Sequence, residues 1–320
     1  MARYNNGSKR PPGPKKPPLT HFLCVPLVSE ASRPHLEQSL QRFQTEASVQ
    51  GDSDNQRGAV SGTTIANETN EYATPHIHPK AFRPVGALHC TLGVMSLKSE
   101  KLAEAVTFLE SLDVSALLKD ACTSQAPTEA VALETAHEPL VVNLIGLESM
   151  HPPQKTSILY SAPSDPTGRL YTFCLAVQKE FSQKGFLVED DRELKLHATI
   201  VNTIYAKGKK RPMKRTPTST PTASASTSLG ADKTGGHADG SLETTGRSQG
   251  HGPDADAPLK MDARALLERY KDHVWAPAFT LTKLAICEMG AKKVTDAQGN
   301  VVGEQYTEVA SVALPTVPTG

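Results

Sequence analysis

Five residues recur almost unchanged at two distant places in the chain, Leu88-His89-Cys90-Thr91-Leu92 and Leu196-His197-Ala198-Thr199-Ile200. Each sits in a short apolar run with β-branched residues and no helical period, the pattern of a buried or half-buried strand. Side chains in a strand alternate between faces, so His89 and Thr91 point one way and Leu88, Cys90 and Leu92 the other. His197 and Thr199 oppose Leu196, Ala198 and Ile200 in the same manner. A single His-x-Thr arises by chance in many chains and reads as two ordinary strand residues. A matched pair is far less expected, because polar side chains seldom recur inside buried runs.

Side by side, two such strands present two imidazoles and two hydroxyls to one cleft, and that set suits phosphodiester chemistry. Histidine titrates near neutral pH, so one neutral ring can take a proton from water or a ribose hydroxyl while a protonated one donates to the leaving oxygen. Each such transfer contributes roughly a hundredfold to ten-thousandfold in rate. Thr91 and Thr199 would hydrogen-bond the phosphate oxygens where negative charge grows. The scheme needs no metal and no cofactor, and the sequence alone does not assign the two proton roles.

The paired motif resembles the 2H phosphoesterase superfamily, and within it the A-kinase anchor protein 7-like, 2'-5' RNA ligase-like domain. The resemblance is carried by Thr20-His21-Phe22-Leu23, by Leu88 to Met95, by Lys195 to Thr203 and by Met261-Asp262-Ala263-Arg264. It implies a bilobal α+β fold, two antiparallel sheets flanked by helices around a central cleft. Its implied activity is that of a metal-independent phosphoesterase on RNA or nucleotide phosphodiesters, either 2',3'-cyclic phosphates or 2'-5' linkages. His89 and His197 are then the catalytic pair, and Thr91 and Thr199 hold the phosphate. The same domain occurs in a subunit of the activating signal cointegrator 1 complex, which implies nuclear transcription-coactivator or DNA-repair partners.

The rest of the chain bounds this reading. A length of 320 residues with 38% hydrophobic content allows one large or two small domains with a real core. The formal net charge of +0 supplies no general attraction to nucleic acid, so RNA binding requires a local basic patch. Cys24, Cys90, Cys122, Cys174 and Cys287 are scattered and odd in number, which fits core thiols in a reducing compartment better than a disulfide framework or a zinc site. No apolar run is long enough to cross a bilayer, and a monomer is expected outside any complex.

Met1 to Pro18, basic and proline-rich, reads as a disordered tail ahead of a domain over residues 19–315. Insertions are expected at 48–80, rich in Gly, Ser, Asn and Thr, and at 206–258, of low complexity. His76-Ile77-His78 in the first insertion lacks a third ligand and is not read as a metal site. The second insertion opens with Lys207, Lys209, Lys210, Arg211, Lys214 and Arg215. These fit a nuclear localisation signal, an arm for an RNA backbone, or a solvated linker, and they leave a nuclear location, with a cytoplasmic share, as the expectation.

Leu36, Leu40, Phe43 and Ala47 recur at helical spacing, as do Leu170, Phe173, Val177 and Phe181 ahead of a capping Gly185. Leu102, Val106 and Leu109 predict a helix running on toward Leu117 and Leu118. Leu140 to Leu147 and Ser157 to Tyr160 predict strands, Asp262 to Tyr270 a helix, Ala278 to Cys287 one strand, and Val301 to Leu314 a closing strand that pairs with it as a hairpin. Tyr205 and Trp275 are the aromatics available to stack a base, with core packing the better expectation for Trp275. Two function classes follow. One is the phosphoesterase; the other is a groove that binds nucleotide or RNA without turnover, as a subunit of a nuclear assembly.

Overall fold

Where apolar residues alternate with polar ones the chain forms strands, and where they recur every three or four residues it forms helices. The computed structural model describes residues 17–49, 75–123, 138–206 and 259–316. The first sixteen residues, most of the first insertion and the basic cluster Lys207 to Arg215 lie outside the described residues. The helices are α1 (Arg33–Val49), α2 (Ser99–Glu110), α3 (Val114–Thr123), α4 (Arg169–Gln183) and α5 (Arg264–Arg269).

The strands of the main sheet are β1 (His21–Pro26), β2 (His89–Met95), β3 (Val141–Ser149), β4 (Ile158–Ser164), β5 (Ala198–Asn202), β6 (Val274–Thr280), β7 (Lys283–Glu288) and β10 (Glu308–Ala313). Their spatial order is β10-β7-β1-β2-β5-β4-β3-β6, antiparallel throughout. The central junction between β2 and β5 consists of one bridge, Cys90↔Ala198. That thin seam divides the sheet into two antiparallel halves of four strands, which is the two-sheet α+β architecture expected from the sequence. A separate hairpin, β8 (Lys292–Thr295) with β9 (Val301–Gln305), stands beside it.

β1 is buried on both faces, and its two faces serve different layers. Leu23 and Val25 join the main core with Leu36, Leu40, Phe43, Cys90, Leu92, Ala198, Ile200 and Trp275. Phe22 and Cys24 turn the other way and form a small second cluster with Ala285 and Cys287. Burying one such side chain contributes about 1.5–3 kcal/mol, so the stripe on α1 is enough to hold that helix on the sheet. Trp275, fully buried, packs edge-on to Phe43 and donates its indole N–H to the Gly146 carbonyl at 2.7 Å. Gly146 holds φ at +78°, and a Cβ there would lie 2.7 Å from the Lys271 carbonyl oxygen, so the turn admits only glycine without strain.

Some expectations need correction. The helix predicted to run from Leu102 to Leu118 is two, because the chain breaks at Ser111 to Asp113 and the Asp113 carboxylate accepts from the Ala116 N–H at 2.9 Å, starting α3 afresh. The strand predicted over Ala278 to Cys287 is also two. β6 pairs with β3 at one edge, whereas β7 lies between β1 and β10 in the other half. The apolar character carries through that crossing, since both strands bury residues, and it does not reveal the change of partner. The predicted pairing of the Ala278–Cys287 stretch with the closing strand is present as β7 with β10, while the turn at Asp296–Asn300 closes the separate β8–β9 hairpin. The end of the first insertion is not all surface either, since Ile77 is buried in the main core.

Candidate functional site

The Cys90↔Ala198 bridge joins the middle residues of the two His-x-Thr triplets. In an antiparallel pair the neighbours of a bridged position oppose each other, so His89 comes beside Thr199 and Thr91 beside His197. Burial follows the expected alternation. Cys90, Leu92, Ala198 and Ile200 are buried on the core side, and His89, Thr91, His197 and Thr199 are each partly accessible.

Both imidazoles are anchored in the same way. His89 Nδ1 lies 2.8 Å from the Ala87 carbonyl oxygen, and His197 Nδ1 lies 2.7 Å from that of Lys195. A carbonyl only accepts, so each Nδ1 carries its hydrogen and each neutral ring has its lone pair on Nε2. His89 Nε2 is 3.0 Å from Thr91 Oγ1, whose hydroxyl then donates to the ring.

Their surroundings differ. His89 packs against Phe22, centroids 4.8 Å apart, and edge-on to Tyr306 at 5.1 Å. Burial drives its pKa down to about 4, and the charges of Arg83 and His197 push the same way. His197 meets the Tyr160 ring at 5.5 Å. Tyr160 donates its hydroxyl to the Glu148 carboxylate at 2.5 Å, and the Lys195 ammonium sits 4.6 Å over its ring. Cys90, buried behind the motif, has its thiol pushed up to about 12 by desolvation.

A cavity of about 160 Å³ opens beside His89, lined by Phe22, Cys24, Lys283, Cys287 and Tyr306, while His197, Thr91 and Thr199 lie outside its lining. Tyr205 is accessible on one face and carries the Arg83 guanidinium 4.1 Å over its ring. Trp275 belongs to the core. The cluster Lys207, Lys209, Lys210, Arg211, Lys214 and Arg215 lies outside the described residues. Among the described residues, no group of three or more His, Cys, Asp and Glu could hold a metal ion, and no helix is long and apolar enough to cross a membrane.

Sequence reasoning missed Phe22, Arg83, Tyr160 and Tyr306. Tyr160 was legible as a strand residue, and the register Tyr160↔Thr199 brings it to the motif. Arg83 stands between Phe82 and Pro84 just before the first motif strand, a place where a cation set among apolar neighbours is a usable signal. Tyr306 reaches His89 from a segment more than two hundred residues away and leaves no local trace.

A family model described as the AKAP7 2'5' RNA ligase-like domain matches residues 19–298. Among solved structures, one described as a phosphoesterase shares 12% identity over 94% of this chain and 100% of that chain, with a TM-score of 0.38. E. coli LigT complexed with 3'-AMP gives 12% identity, coverage of 94% and 100%, and a TM-score of 0.37. TT0787 of Thermus thermophilus gives 10% identity, coverage of 92% and 98%, and a TM-score of 0.38.

Proposed function

Since the chain belongs to the AKAP7 2'5' RNA ligase-like domain family, we propose that it is a metal-independent phosphoesterase acting on RNA or nucleotide phosphodiesters, with 2',3'-cyclic phosphate ends or 2'-5' linkages as substrates. The observation that carries the proposal is the centre-to-centre meeting of the two triplets at Cys90↔Ala198, each ring held through Nδ1 by the carbonyl two residues before it. That arrangement presents two Nε2 atoms and two threonine hydroxyls from adjacent strands, the set needed to move two protons across one phosphate.

The unlike surroundings assign the proton roles within this proposal. His89, enclosed by Phe22 and Tyr306 and facing the Arg83 charge, stays neutral at physiological pH and takes the proton of the attacking hydroxyl. His197, on the side of Tyr160 and Glu148, gives a proton to the leaving oxygen. Thr91 and Thr199 hold the non-bridging oxygens. The test compares wild type with His89→Ala and His197→Ala on RNA ending in a 2',3'-cyclic phosphate and on 2'-5' oligonucleotides. Each substitution is expected to cut turnover by roughly a hundredfold or more, and unchanged turnover in both variants would remove the reading.

One observation favours a second reading, a site that binds nucleotide without turning it over. His89 Nε2 is already engaged by Thr91 Oγ1 and its cavity does not include His197. Calorimetric binding of a nucleoside monophosphate by a chain with no turnover on any of these substrates selects it. Nuclear location and coactivator or repair partners belong to the same proposal; replacing Lys209, Lys210 and Arg211 by alanine in a tagged chain and following its distribution in cells tests the location.

A further inference from the structure

The two buried arginines of the described residues are satisfied in different ways. Arg169, 2% exposed, gives its guanidinium to the carbonyls of Glu138 at 3.2 Å and Pro139 at 3.0 Å and to Thr167 Oγ1 at 2.9 Å. Arg83, 6% exposed, has one long bond, to the Tyr306 hydroxyl at 3.4 Å, and the face of the Tyr205 ring. Among the described residues no carboxylate pairs with it. A buried cation without an anion is costly, so a site of this kind is completed when an anion arrives.

Arg83 is also fixed in place. Its N–H donates to the Ile200 carbonyl at 2.8 Å and its neighbour Phe82 bridges to Val201, which ties it to β5 directly after Thr199. Its side chain forms one wall of an open groove of about 460 Å³, shared with Lys80, Tyr205, Val301, Val302 and Gly303, and Glu304 is an acid in the lining. Val301 and Val302 are 54% and 63% exposed, and Tyr205 is 46% exposed. Two cations beside a flat aromatic and an apolar strip suit a phosphate joined to a base. Tyr306 lies between this groove and the motif, contacting Arg83 on one side and the His89 ring on the other.

We propose that this groove is a second nucleotide subsite, taking the nucleotide joined to the reacting phosphate, with its phosphate on Arg83 and Lys80 and its base against Tyr205 and the valine pair. The inference rests on the phosphoesterase reading for what lies next door, and it makes the ligand an RNA end of at least two nucleotides rather than a free mononucleotide. Base stacking on one aromatic strengthens binding by about fivefold to a hundredfold, which sets the size of the effect.

The experiment is titration calorimetry of the full chain with a 3'-phosphorylated dinucleotide and with the 3'-mononucleotide. Wild type and Tyr205→Phe are expected to bind the dinucleotide about tenfold or more tightly than the mononucleotide. In Tyr205→Ala the two affinities converge. Arg83→Gln weakens the dinucleotide and flattens its salt dependence, and Arg83→Lys restores part of it. Should the buried Arg83 variants fail to fold, Val302→Glu, on the exposed hairpin, places an anion in the groove and is expected to penalise the dinucleotide alone. Equal affinities in wild type, a preference that survives both Tyr205→Ala and Val302→Glu, or no binding of either ligand overturns the proposal. The readout is binding, so a chain that binds as described yet never turns RNA over refutes the phosphoesterase reading and leaves the groove standing.

Discussion

His89→Asn separates the cost of a neutral, enclosed imidazole from everything else in the protein. The folded ring titrates at about 4 against 6.5 for a free one, so between those values the unfolded chain binds more protons than the folded one, and stability rises with pH. His89 therefore costs nothing above pH 6.5, and stability is lost as pH falls from there toward 4. At pH 4.5 the difference corresponds to about 2.5 kcal/mol, and discounting for the edge of the ring that reaches solvent leaves about 2 kcal/mol. Asparagine can place an N–H near the Nδ1 position and keep the bond to the Ala87 carbonyl, and it has no proton to gain. Urea unfolding of both proteins at pH 7.5 and at pH 4.5 gives the quantity as a difference of differences, in which groups common to the two, including the depressed His21 and His273, cancel. Wild type is expected to lose about 2 kcal/mol more than the variant between the two conditions. Equal losses would show that the ring charges freely in the fold, and the assignment of His89 as the neutral base would go with it.

Thr91→Val removes the hydroxyl that donates to the lone pair of His89 Nε2, a bond that favours the neutral ring; the His89 pKa followed by NMR is expected to rise by up to about one unit, with a loss of turnover, and a fall would contradict the assigned tautomer. Gly146→Ala forces a left-handed backbone on alanine and sets its Cβ against the Lys271 carbonyl, so denaturation should show a loss of about 2 kcal/mol or more; a neutral result would mean the turn can reshape without disturbing the Trp275 indole bond. Among the thiols, the hydrogen bond between the Cys24 and Cys287 sulfurs, 3.9 Å apart, holds the Cys287 thiol below its ordinary value, while burial pushes Cys90 and Cys174 up. Alkylation by iodoacetamide at pH 8, read by peptide mass spectrometry, should therefore mark Cys287 well before Cys90 or Cys174, and early labelling of Cys90 would show that the motif strand opens.

What could be read from the chain divides by the range of the interaction. Phe43 and Phe173 sit on faces set by helical periodicity, and Gly185 takes φ of +69° past the end of α4, as a residue two beyond the last helical one should. Alternation alone set the face of His89 and Thr91, because the partner strand does not change which side a residue points to. Partner choice was not legible, and this is where β6 and β7 were fused into one strand. The environment that distinguishes the two histidines was not legible either. Tyr306 and Arg83 reach His89 from separate elements, and neither spacing nor composition encodes that convergence; Glu148 reaches the other side through a bond to Tyr160 made across the β3–β4 pair.

The two triplets are near copies whose backbone settings also agree: a shared bridge at their centres and a carbonyl clamp on each Nδ1. Symmetry of that kind by itself would let either ring accept and either ring donate, and a reaction that must start with one neutral and one charged imidazole would then find half of its population in the wrong state. The side-chain layer removes the degeneracy. On one side two aromatic rings and the charge of Arg83 disfavour a proton on His89, and on the other the ring of Tyr160 links His197 to a carboxylate. Under the proposed mechanism, direction in this site is thus set by residues outside the motif. Replacing Tyr306 by leucine, which keeps an apolar wall but frees Arg83 from its one hydroxyl partner, is expected to move the low-pH limb of kcat/KM while leaving the high-pH limb where it was. A profile that shifts as a whole, or not at all, would mean that the motifs themselves and not their neighbours decide which ring carries the proton.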